Sequence, residues 1–269
     1  RWAAAAADAC EAFLSQVVNV RDYPLTRLAS TTASELAKVL ENSYRAVNIA
    51  FMEEWGRFAE EIGVDIFPVI EAIRQRPTHS NLRQPGFGVG GYCLTKDPLL
   101  PGIAARDLFG RPDLTFPFCT LAVQANRDMP LVTLRRVTAL LGGNLAGKKL
   151  LLLGVSYRQE VGDTRHSPAE TLVRAAREQG AQVSAHDPYL TWWPELGEPL
   201  PPALPSPAGM DAVVFAVAHD AYRDLDLAAW LNGARPLIFD ANHVLSPAQL
   251  DAARAAGCRV AGIGRGDLA

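Results

Sequence analysis

The hydrophobic period changes once along this chain, and the change falls at "GNLAGK" (143–148). Before it, apolar residues recur at helical spacings. Thr32 with Glu35 forms a capping box, and Leu36, Leu40, Val47, Phe51, Phe58 and Ile62 follow on a helical repeat until Gly63 stops it. That predicts one long helix of about 45 Å, at about 1.5 Å per residue. "VDIFPVIEAIRQR" (64–76) predicts a second helix, and "FCTLAVQANRDMPLVTLRRVTALLG" (118–142) one or two more, interrupted near Pro130.

After the change, short apolar runs of strand length alternate with helical segments. "KLLLLG" (149–154), "AQVSAHDP" (181–188), "DAVVFAV" (211–217), "PLIFD" (236–240) and "CRVAGIG" (258–264) read as strands. "SPAETLVRAAREQG" (167–180) reads as a helix with Ser167 as N-cap, Pro168 in its first turn, Glu170 completing the box and glycine at its end; helices near 220–231 and 246–256 separate the later strands. Such alternation implies a mostly parallel sheet with right-handed crossovers. The expected class is α/β, with an all-helical domain over 1–145 and a Rossmann-like domain over 146–269. The proline-rich segment 197–210 is expected to be a surface loop or lid, and no internal repeat is present.

A formal charge of −3 and a pI near 6.0, without a Lys/Arg block, exclude a footprint for nucleic acid or an acidic membrane surface. The cysteines at 10, 93, 119 and 258 form no C-x-x-C pair, which argues against a disulfide framework or a zinc site and fits a reducing cytoplasm. Cys10, Cys119 and Cys258 lie in apolar contexts and are expected in the core. No apolar run approaches the roughly 20 residues that span a bilayer. "RWAAAAADAC" runs on as a helix former rather than ending in a cleavage site, so it is not read as a signal peptide. The first residue is Arg rather than Met, which raises the expectation of something upstream.

Two glycine loops compete for a nucleotide. Gly86, Gly88 and Gly91 in "PGFGVGGYCLTKD" (85–97) satisfy G-x-G-x-x-G, but the preceding "RQRPTHSNLRQ" is polar and no strand, so the match is read as accidental. "LLLLGVSYRQEVGDTRHSPAE" does run from strand to helix, yet offers only Gly154 and Gly162; Arg158, Arg165 and the helix start at 167 are its phosphate-facing candidates. A Rossmann-like domain that binds nothing fits the same pattern. Asp187, after the second strand, is a candidate ribose contact.

Cys93 sits behind four glycines, with Lys96 near enough to favour its thiolate and Asp97 able to take a proton from water. Lys38 and Asn42 stand at i and i+4 on one helix face. These are the parts of covalent thioester chemistry. An inert Cys in a tight turn, with a solvated Lys38 and a packing Asn42, accounts for the same spacing.

The ordered set "SELAKVLENSYRAVNIAF", "GVD", "PGFGVGGYCLTKDP", "GVSYRQEVGDTRHSPA", "GAQVSAHDP", "DAVVFAVAHDAY" and "GIGRG" resembles the UDP-glucose/GDP-mannose dehydrogenase family over about residues 30–269. The resemblance implies an N-terminal NAD-binding Rossmann domain, a helical middle domain that makes a homodimer through its long helix, and a C-terminal domain that holds the nucleotide of a nucleotide-sugar substrate. No strand with a glycine fingerprint precedes residue 30, so these residues correspond to the last two domains, and this piece alone is not expected to turn over. The family oxidises the sugar C6 alcohol to a carboxylate in two hydride steps.

By resemblance Cys93 attacks the C6 aldehyde, Lys38 and Asn42 stabilise oxyanionic intermediates and hold water, and Asp97 assists its deprotonation. Lys96 and Arg165 match NAD contacts. Phe87, Gly88, Gly90, Gly91 and Tyr92 match the loop that wraps the sugar and its phosphates, and Tyr157 and Arg158 lie in a substrate-contacting motif. Arg158 stands for a usual lysine, Asn242 for a frequent arginine, and Glu53 for a common asparagine. Arg76 and Arg83 flank a segment that lacks the usual arginine. The expected activity is UDP-glucose 6-dehydrogenation, with UDP-N-acetylmannosamine, GDP-mannose or a dTDP-sugar as alternative substrates, and a non-catalytic binding or dimerisation module as the alternative outside enzymes.

Overall fold

The change of period at 143–148 is where the chain passes from a helical layer into a sheet. The computed structural model describes residues 4–268, which fall into two compact units, residues 1–40 and 41–269. In the first, α1 (Ala4–Val17) buries none of its residues, and Arg27 pairs with Asp8 at 2.6 Å. Cys10 is exposed and Cys119 half-buried, so of the three cysteines expected in the core only Cys258 is there. α2 spans Thr31–Glu61. Its start is capped two residues before the expected place: Ser30 Oγ accepts from the Ala33 amide at 3.1 Å. Ser30 is the first side chain in register with the N3 amide, which leaves Thr32 already inside the helix.

Within 41–269, α2 turns a mixed face of small, polar and a few large apolar residues inward. Asn42, Ser43, Ala46, Ile49, Met52, Glu53, Gly56, Ala59 and Glu60 are buried. Phe51, Trp55 and Phe58, in a continuous aromatic ladder with centroids 6.1 and 6.0 Å apart, are about half exposed. The apolar stripe read from the sequence is therefore the outer face. The inner face is set by close approach, since a Cβ on Gly56 would meet Pro85 at 2.6 Å. α3 (Ile66–Arg74) begins at Asp65, whose Oδ1 accepts from the Phe67 amide at 3.0 Å. α4 covers Leu100–Asp107. α5 runs unbroken from Pro117 to Leu140 with Pro130 buried inside it, where an interruption was expected. Tertiary packing on both sides of that turn outweighs the one missing backbone hydrogen bond.

The sheet contains β1 (Lys149–Leu153), β2 (Gln182–His186), β5 (Ala212–Phe215), β6 (Leu237–Asp240) and β7 (Val260–Gly262), all parallel in the order β2-β1-β5-β6-β7. A small hairpin, β3 (Trp192–Trp193) with β4 (Glu198–Pro199), opens the proline-rich segment. α6 (Pro168–Glu178) follows β1, and α7 (Asp220–Arg223), α8 (Leu227–Leu231) and α9 (Pro247–Ala255) lie along the later strands.

Alternation along the strands sorts the core into two layers. Leu150, Leu152, Val214 and Phe239 face α6 and the end of α5, through Leu172, Val173, Leu134 and Val137. Leu151, Leu153, Phe215 and Ile238 face α8 and α9, through Leu227, Leu231 and Leu250. The fold is thus a helical region followed by a Rossmann-like sheet covered on both faces. The order reverses between β1 and β5, the switch point beside whose C-terminal ends such sheets bind ligands. Among the described residues no helix is long and apolar enough to cross a membrane.

Candidate active site at the Cys93 turn

The glycine loop has no regular structure and takes its path from its neighbours. Phe87 anchors it in the sheet-side core, where it is fully buried. Gly86 presses on Asn242, whose Oδ1 lies 2.4 Å from where a Cβ would sit, while Asn242 Nδ2 donates to the Ala216 carbonyl at 3.1 Å. A Cβ on Gly90 would fall 2.4 Å from the His166 carbonyl oxygen and 2.8 Å from Tyr157 Cβ. Gly91 packs on the Tyr157 ring, and its amide donates to the Arg165 carbonyl at 3.1 Å. The close approaches that require these glycines are to the chain's own atoms on α5 and in the connections after β1 and β6. Accordingly Phe87, Gly88, Gly90, Gly91, Tyr92, Tyr157 and Asn242 share one neighbourhood, and Arg158, next to Tyr157, is exposed.

The turn that follows carries the reactive groups. Cys93 is exposed, and its carbonyl accepts from the Asp97 amide at 2.9 Å, closing a single turn between them. Asp97 is buried and doubly held: Asn42 Nδ2 donates to Oδ2 at 2.7 Å, and the Lys96 ammonium bonds Oδ1 at 2.7 Å. The hydrogen bond and charge of Asp97 raise the Lys96 pKa. A thiol, an ammonium, a carboxylate and a carboxamide are thus gathered from α2 and one turn. Lys38 lies on α2 one helical turn before Asn42, in the unit of residues 1–40.

A cleft of about 560 Å³ opens beside this turn, lined in part by Tyr92, Lys96, Arg127, His166 and the first residues of α6. Tyr92 meets the His166 ring edge-on at 5.0 Å and the Arg165 guanidinium at 5.1 Å. Arg165 also chelates Asp163, with contacts of 2.9 and 2.5 Å, and this pairing raises its pKa while lowering that of Asp163. Ser167 caps α6 as expected, its Oγ accepting from the Ala169 amide at 3.2 Å, but Glu170 does not complete the expected box: its carboxylate turns along the helix to accept from Arg174 Nε at 2.8 Å.

Asp187 is not a free ribose contact. It is buried, and Oδ2 accepts from the Val155 and Ser156 amides at 2.9 Å, from Ser156 Oγ at 2.8 Å and from His219 Nε2 at 3.2 Å. Burial raises its pKa, but His219 and the two amides outweigh that and hold it at about 2. His219 Nδ1 accepts from the Glu160 amide at 3.0 Å, so Nε2 carries the proton that Asp187 receives. Asp187 therefore ties the connection after β1 to the one after β5. Glu53, the substitution in the long helix, has its pKa raised to about 7 by burial, opposed by Arg57 at 3.2 Å.

One residue of this neighbourhood escaped the sequence reading. Asn126 on α5 bonds both the amide and the carbonyl of Val89 at 2.8 Å. Its signal in the sequence was its place one turn ahead of Pro130, where the helix leaves a carbonyl without its partner.

Known proteins resemble this chain in sequence and fold. UDP-N-acetyl-D-mannosamine dehydrogenase of Methanocaldococcus jannaschii is 31% identical over 74% of this chain and 43% of its own length. The structure of the Pyrococcus horikoshii UDP-D-ManNAc dehydrogenase superposes with a TM-score of 0.72 at 28% identity, over 88% of this chain and 53% of that one. An NDP-N-acetyl-D-galactosaminuronic acid dehydrogenase of Methanosarcina mazei Go1 reaches 0.77 at 29% identity, over 89% and 52%. The chain spans about half the length of the curated relatives it matches. The pattern of the family's central domain matches residues 32–127 and that of its UDP binding domain residues 151–247. With the Cys93 turn inside the first match and the β1–α6 connection inside the second, the chain belongs to the UDP-glucose/GDP-mannose dehydrogenase family.

Proposed function

We propose that this chain carries the thiol and nucleotide-binding portion of a nucleotide-sugar 6-dehydrogenase, acting on a UDP-linked 2-acetamido hexose in the cytoplasm. The expected preference for UDP-glucose gives way because the relatives above are named for N-acetylated sugars. One observation carries the chemistry: Cys93 and Asp97 lie on one turn, with Asp97 held by Asn42 and Lys96.

The Cys93 thiolate adds to the C6 aldehyde and makes it tetrahedral. Asn42 fixes the Asp97 carboxylate, which takes a proton from the water that cleaves the thioester. Lys38, by resemblance, stabilises the negative oxygen of each tetrahedral species. The cationic lining of the 560 Å³ cleft by Lys96 and Arg127, with Arg165 beside Tyr92, suits the pyrophosphate of NAD. Bound there, NAD would supply the hydride acceptor, one molecule for each of the two oxidations. Phe87 to Tyr92, Tyr157, Arg158 and Asn242 are assigned to the nucleotide sugar. The exposed Phe51–Trp55–Phe58 ladder is the surface of a homodimer.

The test is a panel of sugar nucleotides given with NAD to the full-length gene product. Acid formation with a UDP-2-acetamido hexose, lost in Cys93→Ser, is expected; undiminished turnover of that variant removes Cys93 from the reaction, and exclusive use of UDP-glucose removes the acetamido assignment.

A further inference from the structure

The stretch that leads into the Cys93 turn has no strand or helix of its own, so the course of residues 88–90 is fixed by side chains from neighbouring elements. Asn126, half-buried on α5, accepts from the Val89 amide through Oδ1 and donates from Nδ2 to the Val89 carbonyl, each at 2.8 Å. Both backbone groups of one residue are thereby paired with a single carboxamide, the donor-and-acceptor match a neighbouring strand would provide. The backbone of Asn126 meets the loop as well. Pro130 has no amide to offer the Asn126 carbonyl, and a Cβ on Gly88 would come within 3.2 Å of that oxygen. Gly88 also has φ +101°, so both its conformation and its space exclude a side chain. On its far side the loop is held by the bond from the Gly91 amide to the Arg165 carbonyl, 3.1 Å.

We propose that Asn126 is a positioning residue for the reaction: its carboxamide, through Val89, sets where the Cys93 turn stands between α5 and the β1–α6 connection. The proposal rests on the reading of Cys93 as nucleophile. It assigns Asn126 no contact with the reacting atoms. Its effect falls most on the step that needs the thiol, the capture and oxidation of the aldehyde, and less on the first oxidation of the alcohol, which it reaches only through the loop assigned to the sugar.

Two measurements test it. In the 269-residue chain, backbone hydrogen exchange at residues 87–92 is read as protection factors in wild type, Asn126→Ala and Asn126→Asp. The alanine variant is expected to lose about tenfold in protection at Val89. In Asn126→Asp the ionised carboxylate faces the Val89 carbonyl with no proton to give, while the protonated carboxyl can donate, so protection is expected to return as pH falls through the carboxyl range. In the full-length enzyme, Asn126→Ala is expected to form acid about 10- to 100-fold more slowly. The share of product trapped as aldehyde by hydroxylamine should rise several-fold.

Unchanged protection in both variants overturns the clamp. A uniform loss of rate with an unchanged aldehyde share is what a merely structural role produces, and overturns the positioning role. If Asn126→Ala does not fold, the pH-restored protection of Asn126→Asp decides the matter. If the wild-type enzyme oxidises no sugar nucleotide, the proposed function fails, and the exchange result alone decides whether Asn126 holds the turn.

Discussion

A methyl group added at Gly90 should disturb this protein more than the same group at any other glycine of its loop that has an ordinary negative φ. The added Cβ would stand 2.4 Å from the His166 carbonyl oxygen and 2.8 Å from Tyr157 Cβ. Carbon–oxygen contacts settle at about 3.3 Å or more, so the two segments must part by about 1 Å, and the nearest obstacle is backbone that cannot rotate aside. Overpacking of this kind costs about 1–3 kcal/mol, which for a unit of this size lowers the melting temperature by about 2–12 °C. Gly86→Ala meets the tip of Asn242 at the same distance, and that side chain can turn away by giving up its 3.1 Å bond to Ala216, a loss of about 1 kcal/mol. Gly102→Ala, inside α4 with its nearest neighbour a Phe116 ring atom at 3.8 Å, should gain up to about 1 kcal/mol from helix propensity. Thermal melts of the three variants should therefore fall in the order Gly102→Ala, Gly86→Ala, Gly90→Ala, with the last also losing about a hundredfold in turnover in the full-length enzyme. A Gly90→Ala protein that melts within about 1 °C of wild type would refute the close approach from which the ranking is built.

Three further outcomes follow from the electrostatics and the surface. Asp187 titrates near 2 when folded against 3.8 when free, so it contributes about 2.5 kcal/mol that is present above the free value and disappears as pH falls through the folded one; urea midpoints at about pH 5 and pH 2 should differ less in Asp187→Asn than in wild type. Glu53 has the opposite sign: its pKa is raised from 4.5 to about 7, so it destabilises the fold increasingly as pH climbs through that interval, and Glu53→Gln should gain up to about 3 kcal/mol near pH 8 but almost nothing near pH 4. Trp55→Glu, in the middle of the exposed ladder, should convert a dimer to a monomer in sedimentation without altering the melt of the separated chain; an unchanged mass would remove α2 from the interface.

The alternation of strands and helices after residue 148 was legible because the inner strands are buried on both faces and read as unbroken apolar runs, as in "LLLL" and "AVVF", while β2 at the edge, "QVSAH", is only partly buried. The long helix was legible too, but not which side of it faces inward. Periodicity picks out Leu36, Leu40, Phe51, Phe58 and Ile62, which are left outside, whereas the inward face mixes Ile49 and Met52 with Ala46, Gly56 and Ala59, which carry little hydrophobic signal. Pro130 misled for a related reason. A proline forbids one hydrogen bond, and the sequence does not show that the carbonyl left behind is pressed against a glycine more than thirty residues earlier. At the candidate site, the residues with reactive groups stood out by type, while Asn126 looked like any helix asparagine until the loop it pairs with was in place.

That contrast bears on what the glycines are for. A flexible glycine segment would have to be ordered by each incoming substrate, and the loss of chain freedom would be drawn from binding energy. Here the segment is gripped before any ligand arrives. Gly86 rests on Asn242, Val89 on Asn126, Gly91 on Arg165 and Tyr157, and Thr95 Oγ1 donates to the Gly91 carbonyl at 2.8 Å. The absent side chains let three separate elements, α5 and the connections after β1 and β6, close on one loop from different directions. The conformational cost of ordering the Cys93 turn is met in folding, so in the proposed reaction contacts with a substrate would be free to favour the tetrahedral state over the ground state.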